Sequence, residues 1–242
     1  MIVLPILLPM LCGVLALLAW NMPRVQKALA LVGAVVQVGA AAWLLVTVQQ
    51  QGIQYLEVGN WQAPFGIVLV LDLFSAIMVM MAAIVALSIA IYSQAGVDET
   101  RVRFGFYPLF FFLLMGVNGA FITGDLFNLY VWFEVMLMAS FVMIALGGER
   151  SQVEGAIKYV VLNLLSSTLF LSAVGLTYNL AGTLNMADLA RNLPNSPASA
   201  QVPLIAVLFL VAFGIKSAIF PLFFWLPASY HTPPVTITAL FS

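Results

Sequence analysis

Charge is what this sequence has least of. Lys, Arg, Asp and Glu together make up 7% of its 242 residues, against roughly 25% in an average soluble domain. Hydrophobic residues make up 64%, and the mean hydropathy is +1.11. Such a chain cannot cover a water-facing surface. The net charge of -1 leaves no basic face to displace counterions from a polyanion, so no nucleic-acid partner is expected. The single cysteine, Cys12, can form no internal disulfide, and with one histidine, His231, it cannot build a zinc site or an iron–sulfur cluster within the chain. No nicotinamide, flavin or haem motif occurs, so no cofactor is expected and any redox chemistry would reside in partners. The short alternating segments of a membrane β-barrel are missing too.

What is present is a series of apolar runs about 20 residues long, the length an α-helix needs to cross roughly 30 Å of hydrocarbon. The expected fold class is therefore all-α, a polytopic transmembrane helix bundle within the lipid bilayer. Windows of about 19 residues predict spans at Ile2 to Trp20, Ala28 to Val48, Val68 to Ile91, Phe104 to Thr123, Leu126 to Leu146, Ala156 to Leu180 and Val202 to Trp225. An eighth begins after Pro234. From there to Ser242 the chain is too short to cross, so the sequence is expected to be a fragment or truncation ending within that helix. The first run lacks a basic segment ahead of it and exceeds a signal-peptide core, so it is read as a span. Arg24, Lys27, Arg101, Arg103 and Arg150 fall in the first, third and fifth loops, whereas the even loops hold only Arg191. The positive-inside rule then puts the N-terminus outside a cell (inner) membrane.

Asp72, Glu134, Lys158 and Lys216 lie within the apolar windows. A charge at the centre of a spanning helix costs on the order of 2.5–3.5 kcal/mol on insertion scales, so such residues face a partner or a hydrated cavity. Glu134 and Lys216 lie within roughly 4 Å of the midplane, on opposite sides of it, at 1.5 Å per residue. They form either a packing ion pair or part of a proton or cation pathway. A carboxylate near Lys216 would help it hold its proton, and withdrawal of that carboxylate would favour release. Asp72, near the outer end of its helix, fits a helix N-terminal role as well as a pathway role. Lys158, near the cytoplasmic end, is explained equally by snorkelling or by a relay position.

Pro221, five residues after Lys216, lacks the N–H that would bond the Ser217 carbonyl, so a kink or break is predicted just past the lysine. Discontinuous helices at the midplane recur at transporter ion sites, and proline kinks also occur without them. His231, in the polar link before Pro233 and Pro234, suits either plain solvation or a proton relay. The aromatic series around Phe110 and Trp132 and the methionines are explained by packing.

Three stretches carry a pattern: GDLFNLYVWFEVMLMASF (Gly124 to Phe141), EGAIKYVVLNLLSSTLFL (Glu154 to Leu171) and AFGIKSAIFPLFFWLPASYHTPPVTITALFS (Ala212 to Ser242). They resemble the proton-conducting antiporter-like family shared by complex I and the multisubunit Mrp-type cation/proton antiporters, and within it the wording is most similar to the D-type Mrp subunits. The resemblance implies that Glu134 and Lys216 are the central functional pair, with Lys158 and His231 as secondary relay members and Pro221 at the hinge. It also implies an N-terminal three-helix part (1–103) followed by the first, incomplete antiporter-type repeat (104–242). The expected function is a subunit of a monovalent cation (Na+)/H+ antiporter, with H+ and Na+ as transported ions and other hydrophobic subunits as partners. A proton-pumping subunit of an NADH:quinone oxidoreductase-type complex and a purely structural membrane subunit are the alternatives.

Overall fold

A computed structural model describes residues 1–193 and 201–241; part of the predicted sixth loop, residues 194–200, and Ser242 lie outside the described residues. The chain is mostly helical. Helices α1 (Leu4–Leu18), α2 (Pro23–Gln51), α3 (Leu73–Gly96), α5 (Phe106–Ile122), α6 (Leu126–Ala145), α7 (Arg150–Ala181) and α9 (Val202–Lys216) form the bundle. Short helices α4 (Glu99–Arg103), α8 (Met186–Asn192), α10 (Trp225–Tyr230) and α11 (Val235–Phe241) and a hairpin of β1 (Gln54–Glu57) and β2 (Val68–Leu71) connect or follow them. Among the described residues four helices, α2, α3, α6 and α7, are long and apolar enough to cross a membrane; α1, α5 and α9 are shorter apolar helices.

Side-chain ties define the two ends of the bundle. At one end Lys27 Nζ donates to the Gln94 carbonyl at 2.8 Å, and the Gln94 amide donates back to the Lys27 carbonyl at 3.2 Å. Arg101 reaches Glu149 at 3.8 Å. The first, third and fifth connections are thus gathered together, and this end carries the basic residues. At the opposite end β2 meets the α5–α6 turn through a bridge between Leu69 and Thr123, and that turn meets the α7–α8 connection through a bridge between Asp125 and Asn185.

This acidic-capped end corrects the predicted third span. Val68–Leu71 is a strand, because its backbone pairs with Gln54–Glu57, and the helix starts only at Leu73. Asp72 is the N-cap, its Oδ1 accepting from the Ser75 N–H at 2.7 Å. A phrase with the same first three residues recurs at α6, where Asp125 accepts from the Asn128 N–H at 2.8 Å. Asp-Leu-Phe-Ser and Asp-Leu-Phe-Asn each satisfy a donor that a helix start leaves orphaned, a gain of about 1 kcal/mol apiece.

Two packing regions meet at α6. On one side Phe106, Tyr107, Phe110 and Phe111 of α5 fill the space among α1, α2, α3 and α6. On the other, Phe133 of α6 meets Phe170 of α7 edge to face at 5.6 Å, and Phe170 meets Phe209 and Phe213 of α9 at 5.2 and 5.4 Å. Between α5 and α6 the approach is close. A Cβ on Gly119 would lie 2.3 Å from the Trp132 ring. Small residues at such positions let backbones come near enough for dispersion contacts to hold membrane helices together where hydrocarbon offers no hydrophobic gain.

Pro9 inside α1 leaves the Pro5 carbonyl without its helical donor. Two buried amides replace it: Asn118 Nδ2 donates to that oxygen at 2.8 Å and Gln37 Nε2 at 3.4 Å. One missing N–H in the sequence is thereby converted into a tie among α1, α2 and α5.

Candidate functional site

The predicted seventh span, Val202 to Trp225, is broken. Helix α9 stops at Lys216, and α10 resumes only at Trp225. The stop is a C-terminal motif with Ala218 in the left-handed region at φ 51°. The Ala218 N–H bonds the Ile215 carbonyl at 3.1 Å and the Ile219 N–H bonds the Gly214 carbonyl at 2.9 Å, the paired pattern that closes a helix end. The break therefore begins before Pro221, which lies within the non-helical segment. An alanine at positive φ costs about 1 kcal/mol or more, and this cost is held by the surrounding structure. Ile215's carbonyl also accepts from the buried indole Nε1 of Trp225 at 2.7 Å, which pins the resumed helix to the end of the first.

Helix α7 is the splint along which the two pieces lie. Ser166 Oγ donates to the Ala212 carbonyl at 2.7 Å, the Tyr159 ring packs edge to face on Trp225 at 5.3 Å, Ser229 Oγ donates to the Gly155 carbonyl at 3.3 Å, and Gln152 donates to the Thr232 carbonyl at 3.2 Å. From Ala212 to Trp225 the broken chain uses nearly twice as many residues as α7 does from Ser166 to Tyr159 opposite. The surplus bulges outward, leaving Phe220 81% exposed.

Lys216, the last residue of α9, turns inward. Its Nζ donates to Ser167 Oγ at 3.4 Å and lies 4.9 Å from the centre of the Phe133 ring. This cation–π contact offsets part of the cost of holding a charge away from water. Glu134 follows Phe133 on α6 and lies within electrostatic reach of Lys216, yet no ion pair joins the two, and Glu134 Oε1 is buried without a hydrogen-bond partner. Lys216 borders a cavity of about 280 Å³ that extends between α6, α7, α10 and α11 toward the basic end, with Ser140, Tyr159, Asn163 and Tyr230 among its walls. A single water needs only about 10–15 Å³ of such volume, so the cavity has room for several.

The other predicted residues stand apart from this centre. Asp72 caps α3 at the opposite end of the bundle. Lys158, on the exposed side of α7, pairs with Glu154 one turn back at 2.7 Å. His231, exposed at the end of α10, has its Nδ1 against the Pro227 carbonyl. Glu134, Lys216 and the helix break are brought together; Asp72, Lys158 and His231 are not. Sequence inspection passed over Ser167, Asn163 and Tyr159, which are neutral and unremarkable singly. Their spacing of four residues, one face of a helix, was the available signal.

Among known proteins, residues 123–242 match the family model described as NADH:quinone oxidoreductase/Mrp antiporter, TM. The chain is 47% identical over 241 residues to the D-type subunit of a Na(+)/H(+) antiporter of Alkalihalophilus pseudofirmus, covering 100% of this chain and 49% of that protein. Among solved structures, a chain of the Mrp complex from Dietzia sp. superposes with a TM-score of 0.88 at 30% identity, covering 99% of this chain and 45% of that one. A chain of the membrane-bound sulfane sulfur reductase, an archaeal respiratory membrane complex, superposes with a TM-score of 0.90 at 28% identity, covering 99% and 49%. The chain spans about half the length of the curated relatives it matches. With a broken helix, a lysine at the break and an acid on the neighbouring helix, its residues 123–242 belong to the antiporter-like membrane subunit family that the Mrp antiporters share with NADH:quinone oxidoreductase.

Proposed function

We propose that this chain contributes a proton and cation pathway to a multisubunit Na+/H+ antiporter, working beside other hydrophobic subunits in the cell membrane. The observation that carries it is Lys216: an ammonium at a helix break, on the wall of a cavity large enough for water, with the half-buried Glu134 close by, its Oε1 enclosed and without a hydrogen-bond partner. A fixed structural ion pair would be expected to join the two in direct contact. The actual separation leaves each free to exchange its proton or counter-charge while the other biases it electrostatically. Seven spans with the start of an eighth, the basic end on the cytoplasmic side and the N-terminus outside, a three-helix part at 1–103 and a first repeat from 104 complete the proposal. In it the segment holding Pro221 is the hinge, and Lys158, His231 and Asp72 serve at the ends of the path.

The test uses the full-length subunit in its assembled complex, in everted vesicles. Glu134→Gln and Lys216→Ala are expected to lower Na+-driven proton movement by about tenfold or more while complex levels on native gels stay normal. Normal antiport in both variants would refute the pathway. A second reading, a proton-translocating subunit of a redox-driven complex, draws on the likeness to the archaeal respiratory chain. Co-purification of redox subunits, with proton movement that follows electron donor and not Na+, would favour it.

A further inference from the structure

From Lys216 toward the basic end of the bundle helix α7 carries a polar stripe, of which Asn163 and Tyr159 line the cavity and Ser167 stands beside the lysine. Ser167, Asn163 and Tyr159 succeed one another at four-residue intervals, and the first two are 3% and 5% exposed. Ser167 accepts from Lys216. Asn163 donates to the Tyr159 backbone carbonyl at 2.9 Å, which uses one N–H and leaves its amide oxygen and second N–H on a residue that lines the cavity. Tyr159 is set by its ring against Trp225, and its hydroxyl interacts with Ser140, whose own proton goes to the Met136 carbonyl, so that Ser140 stands as acceptor. The other polar groups on the wall are committed: Trp225 to the Ile215 carbonyl and Tyr230 to the Phe241 carbonyl at 2.6 Å. An apolar wall would have served packing equally well. Buried polar side chains on one face, with hydrogen-bonding capacity to spare, are instead what a file of water requires.

The geometry points to this stripe as a water-supported proton wire from Lys216 to the basic end of the bundle, with the Tyr159 hydroxyl as its relay. The inference rests on the pathway reading above and extends it to groups that carry no charge. From Ser167 to Tyr159 is about 12 Å along α7, too far for one direct transfer. The Lys216 ammonium gives a proton to the first water and becomes a neutral amine. Each water or hydroxyl along the file takes a proton on oxygen and gives up the one it held, so Tyr159 ends as it began. Lys216 recovers a proton from the side of Glu134. Nothing is oxidised or reduced.

Tyr159→Phe keeps the ring contact with Trp225 and removes only the relay hydroxyl. Asn163→Leu keeps the volume, and Asn163→Gln keeps the amide. In everted vesicles holding the full complex, Tyr159→Phe and Asn163→Leu are expected to lower antiport about tenfold or more, with Asn163→Gln retaining most of the rate. The ratio of rates in H2O and D2O should be larger in Tyr159→Phe than in the unmodified complex, because proton transfer becomes limiting. If Lys216→Ala is inactive while Tyr159→Phe and Asn163→Leu run at the unmodified rate, the wire is refuted and the pathway stands. Should Lys216→Ala also be active, both fail. A lowered rate with an unchanged isotope ratio would assign these residues a packing role and overturn the inference too.

Discussion

Replacing Gly119 by alanine tests whether α5 and α6 approach each other closely. The added Cβ would lie 2.3, 2.4 and 2.6 Å from three ring carbons of Trp132, whereas carbon contacts are comfortable at about 3.5–4.0 Å. The ring must retreat by more than about 1 Å, and it is held. Its Nε1 donates to Asn128 Oδ1 at 2.7 Å, and the same oxygen accepts from Thr123 Oγ1 at 2.8 Å. The helices cannot simply part either, because one turn along Gly116 sits against the Met136 N and Trp132 O of α6, 3.2 and 3.3 Å from its own ideal Cβ. Overpacking of this kind costs about 1–3 kcal/mol, and weakening the indole hydrogen bond about 0.5–1.5 kcal/mol more. The better helix propensity of alanine returns about 1 kcal/mol, so a net loss of about 1–3 kcal/mol is expected. Gly116→Ala first meets the flexible Met136 Cγ at 2.7 Å and should cost less. Gly175→Ala, with nothing within 4 Å of its Cβ, should be neutral or stabilising. The measurement is the temperature at which half of the detergent-solubilised complex loses its monodisperse state. A midpoint for Gly119→Ala equal to that of Gly175→Ala would refute the packing argument.

The Pro5 carbonyl gives a second prediction, a double-mutant cycle. Asn118→Leu should destabilise by about 1 kcal/mol, and by less in a Pro9→Ala background, where α1 supplies its own donor; equal costs in both backgrounds would count against the tie. A third concerns pH at the basic end. Burial alone would raise the Asp98 carboxyl, but hydrogen bonds from the Arg101 backbone and guanidinium, with the attraction of that charge, lower it below the usual carboxylate range. A lowered folded value contributes stability above the unfolded value near 3.8 that is lost as pH falls through the folded one. The protection of the Arg101 amide, its exchange rate set against the intrinsic rate at the same pH, should therefore hold at pH 5 and fall only below about 4, and Asp98→Asn should lower that protection at pH 5 and above. The charge variants at Glu134 and Lys216 and the wire variants at Tyr159 and Asn163 complete the set.

Much of the candidate site was legible because charge is conspicuous in an apolar sequence. Glu134 and Lys216 stand out by the cost of placing them there, and Pro221 announces an interruption nearby. The fold was less legible at its ends. Val68–Leu71 is apolar enough to extend a helix, and only its pairing with Gln54–Glu57 turns it into a strand. Asp72 looks intramembrane until that strand is known, after which it is a cap. The basic residues at 24, 27 and 150 seem to lie in loops, yet they occupy the first turns of helices that start earlier than the apolar windows, since polar residues at a helix end cost little in propensity.

Composition and the placement of rare charges thus determined by themselves that this chain is a helical membrane protein with a central acid and a central lysine. Those are properties of single residues against a hydrocarbon background, and need no partner to be seen. Tertiary structure decided the rest: that the helix stops at Lys216 through Ala218, that Glu134 and Lys216 are neighbours without a direct ion pair, that Tyr159 and Asn163 share a cavity wall with the lysine, and that Ser167 accepts its hydrogen bond. Each of these depends on which backbone groups and faces α7 meets across the bundle, and residues as far apart as Gln152 and Thr232 are joined only by the fold.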